Sequence, residues 1–275
     1  MQLKMALVLS AAMALSAHAR ADVFDTQSRS DNDANTGNEL MHGSVQLHDL
    51  GALAGGVADN DWYRIAQRPY SSYEVVVDTT SSAIGPTLVV ELVPNIGPPA
   101  QSSVAVSSLG YSRSLRFMND TNSPITSQYI RVRSGQCTSG CTANDTSRIR
   151  LYDTTMAAPR FNNVGTQETY VFVQNTRDFG SNVRVRFWDA AGTTVLCTTP
   201  LFNLPGRDMA IIDDDDLIIH GAEQPLCSSG SAVGVSGSVT LLSDARYGEL
   251  RAKAVALDPL GAKLEFDTEM TARRY

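Results

Sequence analysis

The sequence predicts an all-β protein built from two consecutive antiparallel β-sandwich domains. Very little of the chain shows a helical period, and short runs of β-branched and aromatic residues recur along it. Clusters of Gly, Pro, Asn and Ser separate these runs, as turns separate the strands of a sandwich or barrel. These observations leave the number of cores open, because the length suits either one long sandwich or two domains of ordinary size.

The strands are expected in two groups on either side of a stretch without strand period. The first group lies near residues 62–67, 73–78, 87–93, 103–107, 114–118, 128–133 and 147–152. The second group lies near residues 169–174, 183–188, 193–197, 209–213, 236–242, 250–257 and 263–266. The turn Asp189-Ala190-Ala191-Gly192 predicts one hairpin, since glycine accepts the positive φ of a tight turn. We therefore expect domains over 22–154 and 161–275, joined by a linker at 155–160 that contains Pro159.

The N-terminus has the pattern of a secretory signal peptide of the bacterial type. Lys4 precedes an apolar stretch from Met5 to Ala17, and Ala19-Arg20-Ala21 then offers a small-residue cleavage site. This predicts a signal peptide over residues 1–21 and a protein secreted to the periplasm or the extracellular space. The alternative is a retained anchor helix, but the stretch is shorter than the roughly 20 residues that a span needs.

The charge balance argues against a nucleic-acid partner. Cleavage after residue 21 reduces the 22 basic residues to 20 against 29 acidic ones, which gives a net charge of −9. Such a chain repels a phosphate backbone. No other segment approaches transmembrane length, so we expect no transmembrane segment in the mature protein.

The first half carries a recognisable group of motifs. They are Asp59-Asn60-Asp61-Trp62-Tyr63-Arg64-Ile65, Tyr73-Glu74-Val75-Val76-Val77-Asp78 and Gly85-Pro86-Thr87-Leu88. Together they resemble the bacterial pre-peptidase C-terminal domain over about residues 31–153. The resemblance implies a small sandwich of jelly-roll type that serves as a binding or solubilising appendage, with calcium or collagen-like fibres as ligands in some members.

The chain departs from the usual setting of that family. Members commonly follow a secreted peptidase, whereas here the predicted leader runs almost directly into the domain, so no link to proteolysis is carried over. The second half is similar, with less specific motifs, to an immunoglobulin or fibronectin type III sandwich. That similarity implies architecture only, because a fold does not define a function.

The four cysteines predict one disulfide in each domain. An even number divided equally between two halves of an exported chain favours Cys137 with Cys141 and Cys197 with Cys227, although four cysteines allow three pairings. A zinc site is the alternative, but the second pair lacks close spacing and no histidine accompanies it.

Two acidic segments are candidates for a metal site. Residues 31–37 place oxygen-bearing side chains at alternate positions, but the glycine and the twelfth residue do not suit an EF-hand. The family resemblance implies that this segment and the Asp59 loop share one calcium ion, with ligands from Asp31, Asn32, Asp33, Asp59 and Asp61. The alternative is a polar N-terminal arm. The run Asp213–Asp216 is expected to form an exposed turn between strands, with an ion site as the alternative.

Four arginines form a candidate anion site. Arg131, Arg133, Arg148 and Arg150 flank the Cys137–Cys141 loop, so a hairpin between their strands would align four guanidinium groups on one face. Such a ladder would suit an acidic polysaccharide, because guanidinium groups match carboxylate geometry. The alternative is that nearby Asp and Glu side chains neutralise these arginines.

No motif in the sequence supplies catalytic machinery. The best match to a nucleophile elbow, Gly234-Val235-Ser236-Gly237-Ser238, lacks the correct second glycine and a following helix. The first hypothesis is therefore a secreted noncatalytic module that binds an extracellular protein, matrix or polysaccharide partner. The second is a structural or carrier subunit of an extracellular assembly. The third is a small hydrolase whose carboxylates converge only in the folded state.

Overall fold

The protein is described here by a computed structural model that covers most of the chain after residue 22. It describes residues 23–25, 29–51, 59–81, 84–93, 102–103, 112–134, 141–142, 144–258, 260–261 and 263–273. The predicted signal peptide at 1–21 and the predicted disulfide partner Cys137 lie outside these residues. Within the described part of the chain, no helix has the length and apolar character required to cross a membrane.

The first half forms a sandwich of two four-stranded antiparallel sheets. Its strands are β1 Val45–Asp49, β2 Asn60–Gln67, β3 Ser71–Thr79, β4 Leu88–Val93, β5 Ser102–Ser103, β6 Arg113–Asn119, β7 Ile125–Ser134 and β8 Thr146–Asp153. A single 3₁₀ turn at Gly85–Thr87 is the one helical element among the described residues. The strand orders are β1-β8-β3-β6 and β2-β7-β4-β5. This two-sheet, eight-strand arrangement is a jelly roll, as expected.

Strand periodicity explains how the first sandwich forms its core. In β3, the side chains of Tyr73, Val75 and Val77 are 2%, 0% and 0% exposed, and they alternate with residues that face away from the core. Ile130 of β7 and Ile149 of β8 are fully buried in the same cluster. Because these residues belong to both sheets, the core lies between them.

The second half forms a larger sandwich. Its strands are β9 Met156–Asn162, β10 Glu168–Asn175, β11 Ser181–Asp189, β12 Val195–Thr198, β13 Phe202–Leu204, β14 Met209–Ile212, β15 Asp216–Ile219, β16 Ala222–Pro225, β17 Ser229–Gly230, β18 Ser236–Ser243, β19 Leu250–Asp258, β20 Lys263–Glu269 and β21 Thr271–Ala272. One sheet has the order β16-β15-β14-β10-β19-β20. The other has the order β17-β12-β11-β18-β9-β21, with β13 paired to β11. Two sandwiches are thus confirmed, and the second contains more strands than the seven to nine of an immunoglobulin domain.

A disulfide joins two segments of the second sandwich. Cys197 of β12 is fully buried and bonds to Cys227, with the two Cα atoms 5.4 Å apart. This confirms the predicted pairing within the second half. Cys141 is also disulfide-bonded, and no described cysteine is free.

The predicted linker at 155–160 was wrong, because most of it belongs to β9. Only Thr154 and Thr155 separate β8 from β9. Pro159 misled the prediction, since proline removes a ladder hydrogen bond. Here it lies beside a register shift between β9 and β18, and β21 reaches only Met156 and Ala157, so the chain continues as a strand.

Two predicted turns are confirmed. Gly192 has a φ of 69° and donates its amide hydrogen to Asp189 O at 2.9 Å, which closes the hairpin between β11 and β12. The aspartate run forms the turn between β14 and β15, where Asp213 N donates to Asp216 O at 3.1 Å. The four aspartates are half-buried or exposed, so that segment is a turn at the surface.

Candidate functional site

The N-terminal arm, residues 29–40, lies alongside β2. Trp62 N donates to Asp31 O at 2.7 Å, and Arg64 N donates to Asn38 O at 2.8 Å. These backbone hydrogen bonds bring the first acidic segment next to the start of β2. The two acidic segments that were predicted to share one calcium ion are therefore adjacent in space.

Asp31, Asp61 and His48 form the tightest group in this region. One ligand atom from each lies within 4.8 Å of the others, and all three side chains are about 1% exposed. His48 Nδ1 lies 3.0 Å from Asp31 Oδ2, while His48 Nε2 lies 3.1 Å from Gln46 Oε1. A neutral imidazole that donates through Nε2 presents a lone pair at Nδ1. Either a metal ion that both atoms coordinate or a proton on Nδ1 accounts for the contact with Asp31, and in the second case Nε2 accepts a hydrogen bond from the Gln46 amide group.

Asp59 completes a buried acidic cluster. Its side chain is 1% exposed, and neither oxygen accepts a well-formed hydrogen bond from a described residue, although the Asn60 amide is close enough to lower its pKa slightly. Burial, together with repulsion from Asp25, Asp31 and Asp49, raises the pKa of Asp59 to about 8. Buried charges are normally paired or coordinate a metal, so this group calls for a cation or a proton.

The donor set suits a hard divalent cation such as calcium. Calcium takes six to eight oxygen ligands, and the carboxylates of Asp31, Asp59 and Asp61 are buried together. Asn32 Oδ1 is also buried without a hydrogen-bond partner among the described residues. Asp33 differs, because it is exposed and its Oδ1 accepts the Asn35 amide at 2.7 Å. The structure thus brings together three of the five predicted ligands and keeps Asp33 in a surface turn.

Three members of the acidic cluster were missed from the sequence. Asp49 and His48 lie in β1, which the sequence did not reveal as a strand because Val45 and Leu47 face solvent at 58% and 61% exposure. The polar residues of this strand are the buried ones. Asp25 precedes the segment that the spacing of oxygen-bearing residues had singled out, and no signal in the sequence marked it.

The expected arginine ladder was wrong. Arg131 and Arg133 lie in β7, whereas Arg148 and Arg150 lie in β8, and these strands belong to different sheets. They cannot form the hairpin that would align four guanidinium groups. Strand pairing over a long sequence separation replaced the local hairpin.

Each arginine pair instead shares one acidic partner. Glu91 of β4 lies opposite Arg131, whose Nε donates to Glu91 Oε2 at 2.6 Å, and Arg133 Nη2 donates to Oε1 at 3.1 Å. Although burial opposes it, hydrogen bonds from Arg133 and Arg131 hold the pKa of Glu91 below its usual value. In the other sheet, Asp78 forms ion pairs with both Arg148 and Arg150. Nearby acidic side chains therefore neutralise these arginines, which is the alternative that the sequence left open.

A cleft of about 890 Å³ lies where the two sandwiches meet. The first sandwich contributes the turn Arg68–Tyr70 and Asn122, and the second contributes Trp188, with the hairpin 192–195 beside it. Ser238, Thr240 and Arg273 complete its lining. The charged residues among this described lining are Arg68 and Arg273, and Arg273 Nη2 lies 3.6 Å from Oδ2 of the buried Asp153.

The two aromatic walls of this cleft are fixed in place. Trp188 Nε1 donates to Thr240 Oγ1 at 2.8 Å, and the Trp188 ring meets the Tyr70 ring edge-on at 5.3 Å. The Arg186 guanidinium stacks over Tyr70 at 4.2 Å and also binds Asp120. Neighbouring side chains therefore set both ring orientations before any ligand arrives.

Tyr70 adopts a backbone conformation that bulky residues rarely use. Its φ is 48°, and its amide donates to Thr121 O at 3.0 Å. A left-handed conformation at a residue of this size is strained, and such strain is often found at binding sites. In this turn it places the tyrosine ring between the two domains.

A smaller cleft of about 330 Å³ lies at another part of the domain junction. The rings of Tyr152 and Tyr247 stack there at 4.7 Å, and Glu74 accepts the Tyr247 amide hydrogen at 2.8 Å. Its acidic residues have fixed partners, since Glu74 also accepts from Ser114 and Glu249 pairs with Arg177 at 3.0 Å. The contacts that line this cleft therefore join the two sandwiches.

The fold and these sites define an all-β protein of two sandwiches with a buried acidic cluster and an interdomain cleft. No protein-family model matches the chain, and no curated protein sequence matches it. Among solved structures, the pre-peptidase C-terminal domain of a collagenase from Bacillus anthracis is 12% identical with a TM-score of 0.31, over 42% of this chain and 92% of that chain.

The full extracellular region of zebrafish Gpr126/Adgrg6 is another similar structure. It is 10% identical with a TM-score of 0.23, over 86% of this chain and 42% of that chain. At these identities and TM-scores, neither structure shows a family or carries an argument about function.

Proposed function

We propose that this protein is a secreted, noncatalytic binding module whose first sandwich is held by a calcium ion. The partner is a polysaccharide or another molecule of the cell surface or matrix. The buried acidic cluster around Asp59 supports the calcium ion, and the cleft of about 890 Å³ lined by Tyr70 and Trp188 supports the binding function. Carboxylates buried together at about 1% exposure destabilise a fold unless a cation or bound protons neutralise them.

The enclosure of this cluster favours a structural ion over a catalytic one. A catalytic metal keeps an open coordination position for water or substrate. Asp31, Asp59 and Asp61 are almost completely removed from solvent, so an ion among them would have little access to a substrate. Millimolar calcium outside cells can saturate weak sites of this kind, which suits an exported protein that contains disulfides.

The second hypothesis, a structural subunit, has one observation in its favour. β20 is the last strand of its sheet, and Leu264 within it is 62% exposed. An unpaired edge can accept a strand from another chain. However, Lys263, Glu265, Asp267 and Glu269 alternate along β20, and charges on an edge strand oppose such pairing. The binding-module proposal is therefore the one that the geometry favours.

An array of glycans and matrix proteins tests the proposed function. We expect the mature chain to bind at least one member in calcium-containing buffer without altering it chemically. Failure to bind any member in calcium would contradict the proposal. Release of shortened glycans would instead favour a hydrolase.

A further inference from the structure

Both sandwiches contribute to the cleft of about 890 Å³. Trp188 of β11 and Ser238 of β18 lie directly opposite each other in one sheet, so their side chains share a face of that sheet. The turn Arg68–Tyr70 of the first sandwich stands beside them. The volume lies within the range of about 300–1,000 Å³ for small-molecule sites, so the cleft has room for a small ligand.

The two aromatic rings of the cleft form a corner. The ring planes of Tyr70 and Trp188 are inclined at 69°, with their centroids 5.3 Å apart. Arg186 and Thr240 hold these rings, so a ligand has little aromatic side chain to order when it binds. A corner encloses one ring of a ligand, whereas coplanar rings would form a flat platform. Aromatic faces also carry negative charge density, which attracts the slightly positive C–H groups on the face of a sugar ring.

The cations of the lining are already engaged. Arg273 Nη2 lies 3.6 Å from Oδ2 of the buried Asp153, and Arg273 Nη1 donates to Pro69 O at 3.5 Å. Arg68 also has an interaction of its own. No acidic side chain is among the described lining residues. The cleft therefore favours a ligand without net charge, because an ionic ligand would lose hydration here without gaining a counter-ion.

Neutral polar groups are available beside the aromatic corner. The Ser238 hydroxyl and the Asn122 amide nitrogen have no hydrogen-bond partner among the described residues. The Thr240 hydroxyl accepts from Trp188 Nε1 at 2.8 Å and can still donate its own hydrogen. Sugar hydroxyl groups both donate and accept, so they can pair with each of these groups.

We infer that this cleft binds a neutral hexose of a polysaccharide, with a C–H face of the sugar against Trp188 and its hydroxyl groups at Ser238 and Asn122. The inference rests on the proposed function and names its ligand class. The sugar combines an apolar face with a polar edge, and the cleft places an aromatic ring next to uncharged hydrogen-bonding groups in the same way.

A proline-rich segment is the alternative ligand, because such segments also dock in aromatic grooves. Proline has a carbonyl acceptor but no N–H donor, so a groove that binds this kind of segment must supply donors. The Trp188 indole N–H is already used by Thr240. The Ser238 hydroxyl that remains suits a ligand that can both accept and donate, which favours the sugar.

Calorimetric titration of the full mature chain in calcium tests the ligand class. The probes are maltohexaose, cellohexaose and laminarihexaose, with hexagalacturonate and decaproline for comparison. We expect at least one neutral hexasaccharide to bind, with an affinity that added salt leaves unchanged because no ion pair forms. Absence of binding by all three neutral sugars would overturn the inference, as would tighter binding of hexagalacturonate or decaproline.

Trp188 fluorescence tests the location. The chain contains two tryptophans, so Trp62→Phe leaves Trp188 as the single tryptophan reporter. This variant should bind the hexasaccharide as tightly as the parent chain. We expect the bound sugar to shift Trp188 emission and to protect it from quenching by acrylamide. Calorimetric binding without either change would place the ligand elsewhere and overturn the inference.

Variants of the cleft give a second test of the location. Ser238→Ala removes one hydrogen-bonding group and should weaken hexasaccharide binding about fivefold. Its matched control is Ser229→Ala on β17, an exposed position outside the described lining, which should leave the affinity unchanged. Trp188→Ala should weaken binding by about tenfold or more. Unchanged binding by Ser238→Ala and by a folded Trp188→Ala variant would contradict the assigned site.

The outcomes separate this inference from the proposed function. If the neutral hexasaccharides fail to bind while the array of glycans and matrix proteins identifies another partner, the binding-module function stands and this inference is wrong. The function also stands if a sugar binds outside the cleft. Absence of every array ligand would remove both proposals.

Discussion

The two sandwiches differ in how many carboxylate side chains they bury. All carboxylate side chains that are fully buried in the described residues belong to the first half: Asp31, Asp49, Asp59, Asp61, Glu74, Glu91 and Asp153. The second half buries none of its described carboxylates. It has an apolar core and the Cys197–Cys227 bond. Both sandwiches therefore have an apolar core, but the first also buries carboxylates whose charges must be neutralised, whereas the second buries none among its described residues.

The difference also explains why two aspartate-rich segments behave differently. The turn Asp213–Asp216 keeps its carboxylates at the surface, where water screens their repulsion. Burial and the charges of neighbouring aspartates raise the pKa of Asp214. Because this side chain still has access to water, its charge does not need a buried counter-ion. The cluster around Asp59 has no such solvent access. Ligand atoms of Asp213, Asp214 and Asp215 also lie within 4.8 Å of one another, so proximity is common to both segments and their burial is what differs.

Removal of the second-domain disulfide should produce the largest effect. In the chain-entropy model, a bond that closes the loop from Cys197 to Cys227, a separation of 30 residues, stabilises by about 3.7 kcal/mol. The Cys197→Ser, Cys227→Ser double variant should therefore lose that much stability in the second domain. Calorimetry should show one transition shifted down and the other retained. An equal shift in both transitions would show that the domains do not unfold separately.

Calcium should stabilise the first domain by a somewhat smaller amount. A ligand at about 100 times its Kd, bound only to the native state, contributes about 2.7 kcal/mol, or several degrees in Tm. Asp59→Asn should abolish this response while the second transition stays fixed. Magnesium should act more weakly, since its octahedral geometry is rigid.

The surface turn provides the matched control for this experiment. Asp214→Asn with Asp215→Asn also removes two adjacent charges but should leave the calcium response intact. If the turn variant lost the response and Asp59→Asn kept it, the ion site would lie at the turn.

The free energy of unfolding of the calcium-free protein should also depend on pH. Over a single pH unit, this change should be smaller than the effects of the disulfide and of calcium. The folded-state pKa of Asp59, about 8, exceeds the ordinary 3.8, so between these values the folded state binds a proton that the unfolded state releases. This contribution to stability is present at acid pH and is lost as pH rises toward 8. The slope reaches at most about 1.4 kcal/mol per pH unit.

Urea unfolding of the parent and Asp59→Asn proteins between about pH 5 and 8 measures this contribution. The parent should lose stability relative to the variant as pH rises, and saturating calcium should flatten the difference because the ion replaces the proton. A difference that grows in the opposite direction would show that Asp59 is ionised and well solvated in the folded state.

Much of the fold could be predicted from local pattern. Alternation of apolar and polar residues marked strands such as β3 and β11, and a glycine marked the β11–β12 hairpin. The prediction failed where the pattern was inverted or interrupted. In β1 the histidine and aspartate are buried and the aliphatic residues are exposed, and in β9 a proline occurs within the strand.

The candidate sites were predictable only where their residues are close in sequence. Asp59 and Asp61 lie two residues apart at the start of β2, so their shared side followed from strand geometry. Asp49 and His48 reach them only because β1 and β2 meet in the folded sandwich. The interdomain cleft was not predicted, since Tyr70 and Trp188 are brought together by the docking of two domains.

The all-β class, the presence of two sandwiches and the preference for a Cys197–Cys227 pairing could be predicted from the sequence, because strand period, turn residues and cysteine distribution are local or compositional properties. The tertiary structure decided which charges are neutralised by protein and which require a ligand. It separated Arg131 from Arg150 into different sheets and buried Asp59 among other carboxylates. The physical reason is that charge interactions depend on distance and burial, which non-local strand pairing creates.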